Sequence, residues 1–350
     1  MIRYIVPKIK QVQRLFDTSL GLDLGTSFLR VWQSSGVIQS FPHILAVDRN
    51  QQKVIAFGQE AKEMVGKVPE HIAILQPFQR GVISLFTVSK SLYQYLFHRF
   101  LGKFFLFKPL IMASVASDAT PIERQAVSEA LFAAGARQVY LIDSPLAAAI
   151  GAGIPVAQSN GNIVVHIGAG MTEIAVISLG SIVMMKSIRM GGNDFDRVIA
   201  HQIRKNYGVS ISLDTAQYIK ENLLDLRRSQ LKKTIQIKAK DLVTGHPKEL
   251  LVEADKVLSS LEKPLKSITQ ALQEFLEEIP AELASDVIDK GVILTGGGAK
   301  LLGFDFCLTQ VIGVPVSLSE HAELCVIHGI ELALQHLDLY KQSLAFESMG

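Results

Sequence analysis

At 350 residues the chain is too long for one ordinary domain and suits two, so two cores with a ligand cleft between them are expected. Thirty-five basic and 33 acidic residues leave a net charge of +2, which excludes a general electrostatic grip on nucleic acid. Cys307 and Cys325 are the only cysteines and both lie in apolar stretches, which excludes a disulfide framework and a cysteine metal site and points to two buried thiols.

Residues 1–18 open the chain as MIRYIVPKIKQVQRLF and two more, with Arg3, Lys8, Lys10 and Arg14 set among apolar side chains. The segment lacks the continuous apolar core and small-residue cleavage site of a secretory signal, and reads as a short basic amphipathic helix for an anionic bilayer, restricted by Pro7 to its second half. Mean hydropathy is high at +0.27, yet no apolar run reaches the about 18 residues of a spanning helix.

From Leu20 the pattern is strand, turn, strand, with Gly25 at the first turn and Ser34 to Gly36 at the next. Tyr93 to Lys108 begins as a core helix carrying Leu92, Leu96 and Phe100 inward and continues into an aromatic, basic turn. Leu110 to Val115 is a strand, Ile122 to Ala134 a helix that Gly135 ends, Val139 to Ile142 a strand, and Pro145 to Ile150 an alanine-rich helix. The plan then restarts. Asn162 to Ile167 is a strand, GAGMT a turn, Glu173 to Leu179 and Ser181 to Met190 two more strands, and a helix begins at about Asp194 after Gly191 and Gly192. Charged and helical stretches follow, with a strand at Thr234 to Leu242. A long helix from about Lys263 to Glu278 precedes a strand at Gly291 to Thr295, the turn GGGAK and a capping helix. Strands alternating with helices after each meander predict an α/β layered fold, duplicated in two halves.

Glycine turns between strands let backbone N–H groups approach a phosphate that a side chain would hold away. Three occur: Gly25-Thr26-Ser27, Gly168-Ala169-Gly170 and Gly296-Gly297-Gly298. One alone only connects strands; two at equivalent places of duplicated halves, with a third before a helix, describe a phosphate clamp.

The stretches GLDLGTS, FGQEAKEMVGKVPEHIAILQPFQRGVI, ERQAVSEALFAAGARQVYLIDSPLAAAIGAGIPV, HIGAGMTEIAVISLGSIV with the following MGGNDFD, AQYIKENL and ILTGGGAKLL resemble the MreB family within the actin, sugar-kinase and heat-shock-chaperone ATPase superfamily. The likeness runs from Leu22 to about Leu334. It implies an actin-like, ribonuclease H-like duplicated fold: residues 19–150 with about 320–350 as domain I, carrying a membrane loop near 99–108, and 151–319 as domain II with an inserted subdomain at about 193–258.

The same resemblance assigns ATP or ADP contacts to Thr26, Ser27 and Phe28, to Gly168, Ala169 and Gly170, to Gln217, Tyr218, Ile219 and Lys220 on the adenosine side, and to Gly296, Gly297, Gly298 and Ala299. Asp23 would hold Mg²⁺ through water. Departures cluster at the γ-phosphate. His166 stands where the family's D-I-G-G-G-T motif begins with aspartate, weakening the Mg²⁺ site, and Met171 replaces its threonine. Ser144 replaces the water-orienting glutamate of E-E-P, with Asp143 the candidate substitute; Ala169 replaces a glycine and Gln217 a glutamate. No catalytic residue is intact, so residual ATPase at most is expected.

The family likeness also implies a cytoplasmic filament homopolymer, peripheral on the inner face of the cell membrane, that organises cell shape with the cell-wall elongation machinery. Membrane contact falls to Leu101, Phe104, Phe105 and the N-terminal segment. An intact MreB in the same cell is a candidate copolymer. Two other readings stay open: an active ATPase or small-molecule kinase, and a nucleotide-free scaffold.

Overall fold

The computed structural model describes residues 19–51, 53–79, 82–83, 86–102, 108–227, 232–340 and 345–348. Among these the chain divides into two compact units, one drawn from Met1–Gly151 with Val326–Gly350 and the other from Ala152–Cys325. The chain therefore returns to the first unit at residue 326, within the helix Cys325–Gln335.

The first unit is built on a six-stranded sheet. Ser19–Leu24 pairs antiparallel with Phe28–Gln33, which pairs antiparallel with Ile38–Pro42; on its other side Ser19–Leu24 runs parallel to Leu110–Val115, itself parallel to Gln138–Asp143. Ala345–Ser348 closes that edge. The central strands carry side chains buried on both faces, Leu20, Leu22, Leu29, Ile111 and Leu141 among them, which is why they read as apolar runs rather than alternating ones. Each such side chain contributes about 1.5–3 kcal/mol of burial. A second, three-stranded sheet joins Leu45–Asp48 to Lys53–Phe57 and Ile72–Leu75.

Local chemistry sets the helix bounds in this unit. Thr120 accepts from the backbone of Glu123, whose carboxylate accepts from Thr120 N, and Pro121 takes the first helical position, so Pro121–Ala134 starts on a complete capping box. It ends on Gly135 at φ 117°, a left-handed residue that tolerates no Cβ cheaply.

The second unit repeats the plan. Asn162–Ile167 pairs antiparallel with Thr172–Ser178, and that strand with Ser181–Ile188; Asn162–Ile167 is parallel to Val292–Thr295, which is parallel to Val316–Leu318. Both sheets thus share one order of third, second, first, fourth and fifth strand, with the same directions. A hairpin of Thr234–Asp241 and Pro247–Glu253, flanked by Val209–Ser210, adds a small sheet whose Ile237 and Val252 join the same core as Ile163, Ile174 and Phe195.

One of the two thiols departs from the expected burial. Cys325 is buried, 3.3 Å from Ser319 Oγ, whereas Cys307 is only half-buried. Leu101, expected to contact a membrane, is partly buried and packs against the first unit's core at the end of Phe86–Leu101. Phe104, Phe105 and residues 1–18 lie outside the described residues. Among the described residues no helix is long and apolar enough to cross a membrane.

Candidate functional site

In open α/β sheets, ligands bind beyond the carboxyl ends of the parallel strands. In the first unit that end carries Gly25-Thr26-Ser27. A Cβ on Gly25 would stand 2.6 Å from Phe28 O, so the turn admits only glycine there. His43, which the sequence reading missed, anchors it: His43 N donates to Ser27 O at 2.9 Å, and Nδ1 lies 2.7 Å from Gly25 O. A carbonyl only accepts, so the proton sits on Nδ1. Burial pushes this imidazole down to about 4, against the smaller upward pull of the Gly25 carbonyl and of Asp23, and the ring stacks on Phe78 at 5.9 Å. The ring is therefore neutral at pH 7.

Asp23 is buried next to this turn. Ser114 Oγ accepts from Leu24 N at 2.9 Å and donates to Asp23 Oδ1 at 3.3 Å, while Arg30 Nη1 donates to Asp23 Oδ2 at 2.8 Å. Hairpin register makes the last contact, since Asp23 and Arg30 are direct cross-strand partners. Phe28 begins the second strand, 38% exposed, with the Arg30 guanidinium 5.7 Å from its ring centroid. Thr26 and Ser27 are half-buried.

Asp143 ends the fifth strand of the same sheet, and Ser144 begins the helix that follows it. Ser144 Oγ donates to Val115 O at 2.9 Å. Asp143 is bound by Arg124 Nη2, and Arg124 Nε also reaches Ala119 O at 3.2 Å. Burial raises the Asp143 carboxyl while Arg124 pulls it back. As a substitute base Asp143 is already committed to a guanidinium.

In the second unit three glycine segments meet. Gly192 N and Asn193 N donate to Gly168 O and Ala169 O at 3.0 and 2.8 Å, so the helix Gly192–Tyr207 starts against the turn 168–171, two residues earlier than its sequence pattern indicates. A Cβ on Gly191 would lie 2.7 Å from both those carbonyl oxygens, and one on Gly296, at φ 88°, would lie 2.3 Å from Ile167 O. Gly298 is hemmed in by Ile167 and Gly168. These glycines serve close backbone packing. Gly297 differs, since it is exposed and a Cβ there meets nothing nearer than 3.9 Å. Gly297 thus gives the second unit an exposed backbone rim that carries no side chain.

Met171 is buried and apolar at the turn's end, and the neighbouring Thr172 hydroxyl donates to Met190 O at 2.8 Å. His166 Nδ1 lies 3.1 Å from Thr295 Oγ1, and its cross-strand partner is the buried Glu173.

The residues that the resemblance assigns to the adenosine side separate on the helix Leu213–Leu223, which Ser212 caps. Ile219 belongs to the hydrophobic core, so its side chain is withdrawn from any ligand, as is that of the buried Ala299. Lys220 is spent inside the unit, 2.8 Å from Asp196 Oδ1 and 3.1 Å from Gly192 O. Burial raises the Asp196 carboxyl against the pull of Lys220. Gln217 Nε2 donates to Glu221 Oε1, and Tyr218 is half exposed. Gln217 and Tyr218 remain on the solvent side.

A resident Mg²⁺ does not fit these residues well. The Asp23 carboxylate already faces a guanidinium, the equivalent residue of the second hairpin is an imidazole, and among the described residues no group of three His, Cys, Asp or Glu is arranged to hold a metal.

Two units on one strand order, each opening with a glycine hairpin, define a duplicated α/β protein of the actin-like class. The MreB/Mbl protein family model matches residues 17–342, and the chain belongs to that family. It is 36% identical over 338 residues to the cell shape-determining protein MreB of Escherichia coli (strain K12), covering 95% of this chain and 97% of that one. It is 37% identical over 325 residues to the cell shape-determining protein Mbl of Bacillus subtilis (strain 168), covering 93% and 98%. Among solved structures, MreB5 of Spiroplasma citri bound to AMPPNP matches with TM-score 0.87 at 29% identity, covering 93% of this chain and 98% of that one; the ADP-bound form matches equally. The MamK double helical filament, at 18% identity and TM-score 0.75 over 91% and 99%, shares the fold. The chain is an MreB-like actin homologue.

Proposed function

We propose that this protein binds ATP and ADP through its glycine turns, polymerises, and organises cell shape from the inner face of the membrane while turning nucleotide over slowly or not at all. Binding is supported by the AMPPNP and ADP complexes of a relative that matches 93% of this chain. Thr26, Ser27, Gly168, Ala169, Gly170 and Gly297 are the candidate phosphate contacts, with Gln217 and Tyr218 toward adenosine.

The observation that carries weak turnover is the commitment of the residues around the missing base. Ser144 Oγ is given to Val115 O and Asp143 to Arg124, and Met171 offers no hydroxyl. Neither Ser144 nor Asp143 is left to orient an attacking water, a loss that costs about 10²–10⁴ in rate. Membrane attachment rests on residues 1–18 with Phe104 and Phe105, and avidity along a filament multiplies two weak anchors. Contact with cell-wall elongation machinery and copolymerisation with an intact MreB belong to the same reading.

The test combines calorimetry with ATP and ADP, phosphate release, and electron microscopy of the full chain on anionic lipid. Saturable binding, filaments on lipid and near-background phosphate release are expected. Filaments with no nucleotide bound would select a scaffold, and fast phosphate release would select an active ATPase.

A further inference from the structure

Each hairpin sets a carboxylate directly across from a basic residue type. In the first unit Asp23 faces Arg30, with Arg30 Nη1 2.8 Å from Asp23 Oδ2. In the second the equivalent residue is His166, and it faces the buried Glu173. In each hairpin the acidic member has a basic residue in register, so neither turn presents a bare carboxylate toward its own glycines.

Arg30 is the informative member. It sits on a strand whose neighbours Leu29 and Val31 are core, and its side chain is only 15% exposed. Its Nε is buried and makes no hydrogen bond. Asp23 uses both oxygens, one on Ser114 and one on Arg30, and Oδ1 lies 3.9 Å from where a Gly25 Cβ would stand. The guanidinium thus delivers a fixed positive charge to the carboxylate beside the phosphate turn. A hydrated Mg²⁺ using the same carboxylate would meet that charge and be repelled, whereas a guanidinium, always protonated and rich in donors, also suits phosphate oxygens.

We infer that Arg30 neutralises the Asp23 carboxylate beside the first glycine turn, so that this protein binds its nucleotide without a resident divalent cation. The inference rests on the nucleotide reading above and narrows it to the metal-free form of the ligand.

The test measures ATP and ADP affinity of the full chain by calorimetry in excess EDTA and in excess MgCl₂. Wild type should differ by less than about threefold between the two, and Arg30→Lys, which keeps the charge, should behave alike. Arg30→Leu should lose about tenfold or more in EDTA and regain affinity when Mg²⁺ is added. Electron paramagnetic resonance with Mn²⁺ as probe should detect no protein-bound ion before nucleotide is present. A wild-type protein that loses about tenfold or more in EDTA overturns the inference whether or not Arg30→Leu folds. Absence of saturable binding in both buffers by a folded chain removes the nucleotide reading itself, and this inference with it; binding with Mg²⁺ alone removes only the inference.

Discussion

Lys220 Nζ lies 2.8 Å from Asp196 Oδ1, with the two side chains 10% and 7% exposed, and the same ammonium reaches Gly192 O where a helix begins against the 168–171 turn. The ion pair therefore ties the helix Leu213–Leu223 to the start of Gly192–Tyr207. Lys220→Met should leave an orphaned buried carboxylate and destabilise the protein by about 3–5 kcal/mol. Because burial already raises the Asp196 carboxyl, protonation should hold the loss to the lower end of that range. Urea denaturation monitored by circular dichroism reads this directly. A loss below about 1 kcal/mol would mean the charge is neutralised elsewhere.

Adjacent glycines in the third turn should respond differently. Gly296→Ala puts a Cβ 2.3 Å from Ile167 O at a φ of 88° and should be strongly destabilising. Gly297→Ala meets open space, so its melting temperature should stay near wild type. If the exposed rim holds phosphate, Gly297→Ala should still weaken ATP binding in calorimetry. Unchanged affinity would remove that residue from the cradle.

The acid response of the first unit should track His43. In the unfolded chain its imidazole takes a proton near 6.5, and in the folded chain only at about 4. The folded pKa is depressed, so the unfolded state binds more protons between these values. Stability is complete above about 6.5 and declines toward pH 4, by roughly 1.4 kcal/mol per pH unit at most from this group. His43→Gln should flatten that part of the stability profile. An equally steep loss in the variant would assign the acid sensitivity to other groups.

Hydrolysis should be recoverable. On the proposed site, the combined change Ser144→Glu, His166→Asp and Met171→Thr would supply a water-orienting carboxylate, an acidic residue for the phosphate side and a hydroxyl. Phosphate release should rise from background by about 10²-fold or more. No change in rate, with ATP still bound, would place the catalytic defect elsewhere.

Much of the architecture was legible from local pattern. The strands Leu110–Val115 and Asn162–Ile167 begin and end where the apolar runs do, and the helix after Thr120 carries its own start and stop signals. The restart of the plan at residue 162 was readable because two glycine hairpins followed by further strands are short-range features. Less legible was which residues of a motif face a ligand. Ile219 and Lys220 sit in the adenosine-side motif, yet one packs in the core and the other is consumed by Asp196. Gly296 and Gly298 also leave no room for a Cβ against Ile167 and Gly168, a constraint that spacing along the chain does not show.

By itself the sequence determined the order of strands and helices and the family, since turn chemistry, periodicity and side-chain identity are properties of neighbours along the chain. Only the tertiary structure decided that Arg30 answers Asp23, that Arg124 holds Asp143, and that His43 fastens Gly25. Those partners lie 7, 19 and 18 residues apart. The pairing energies arise from burial and register that exist only once the sheets have closed.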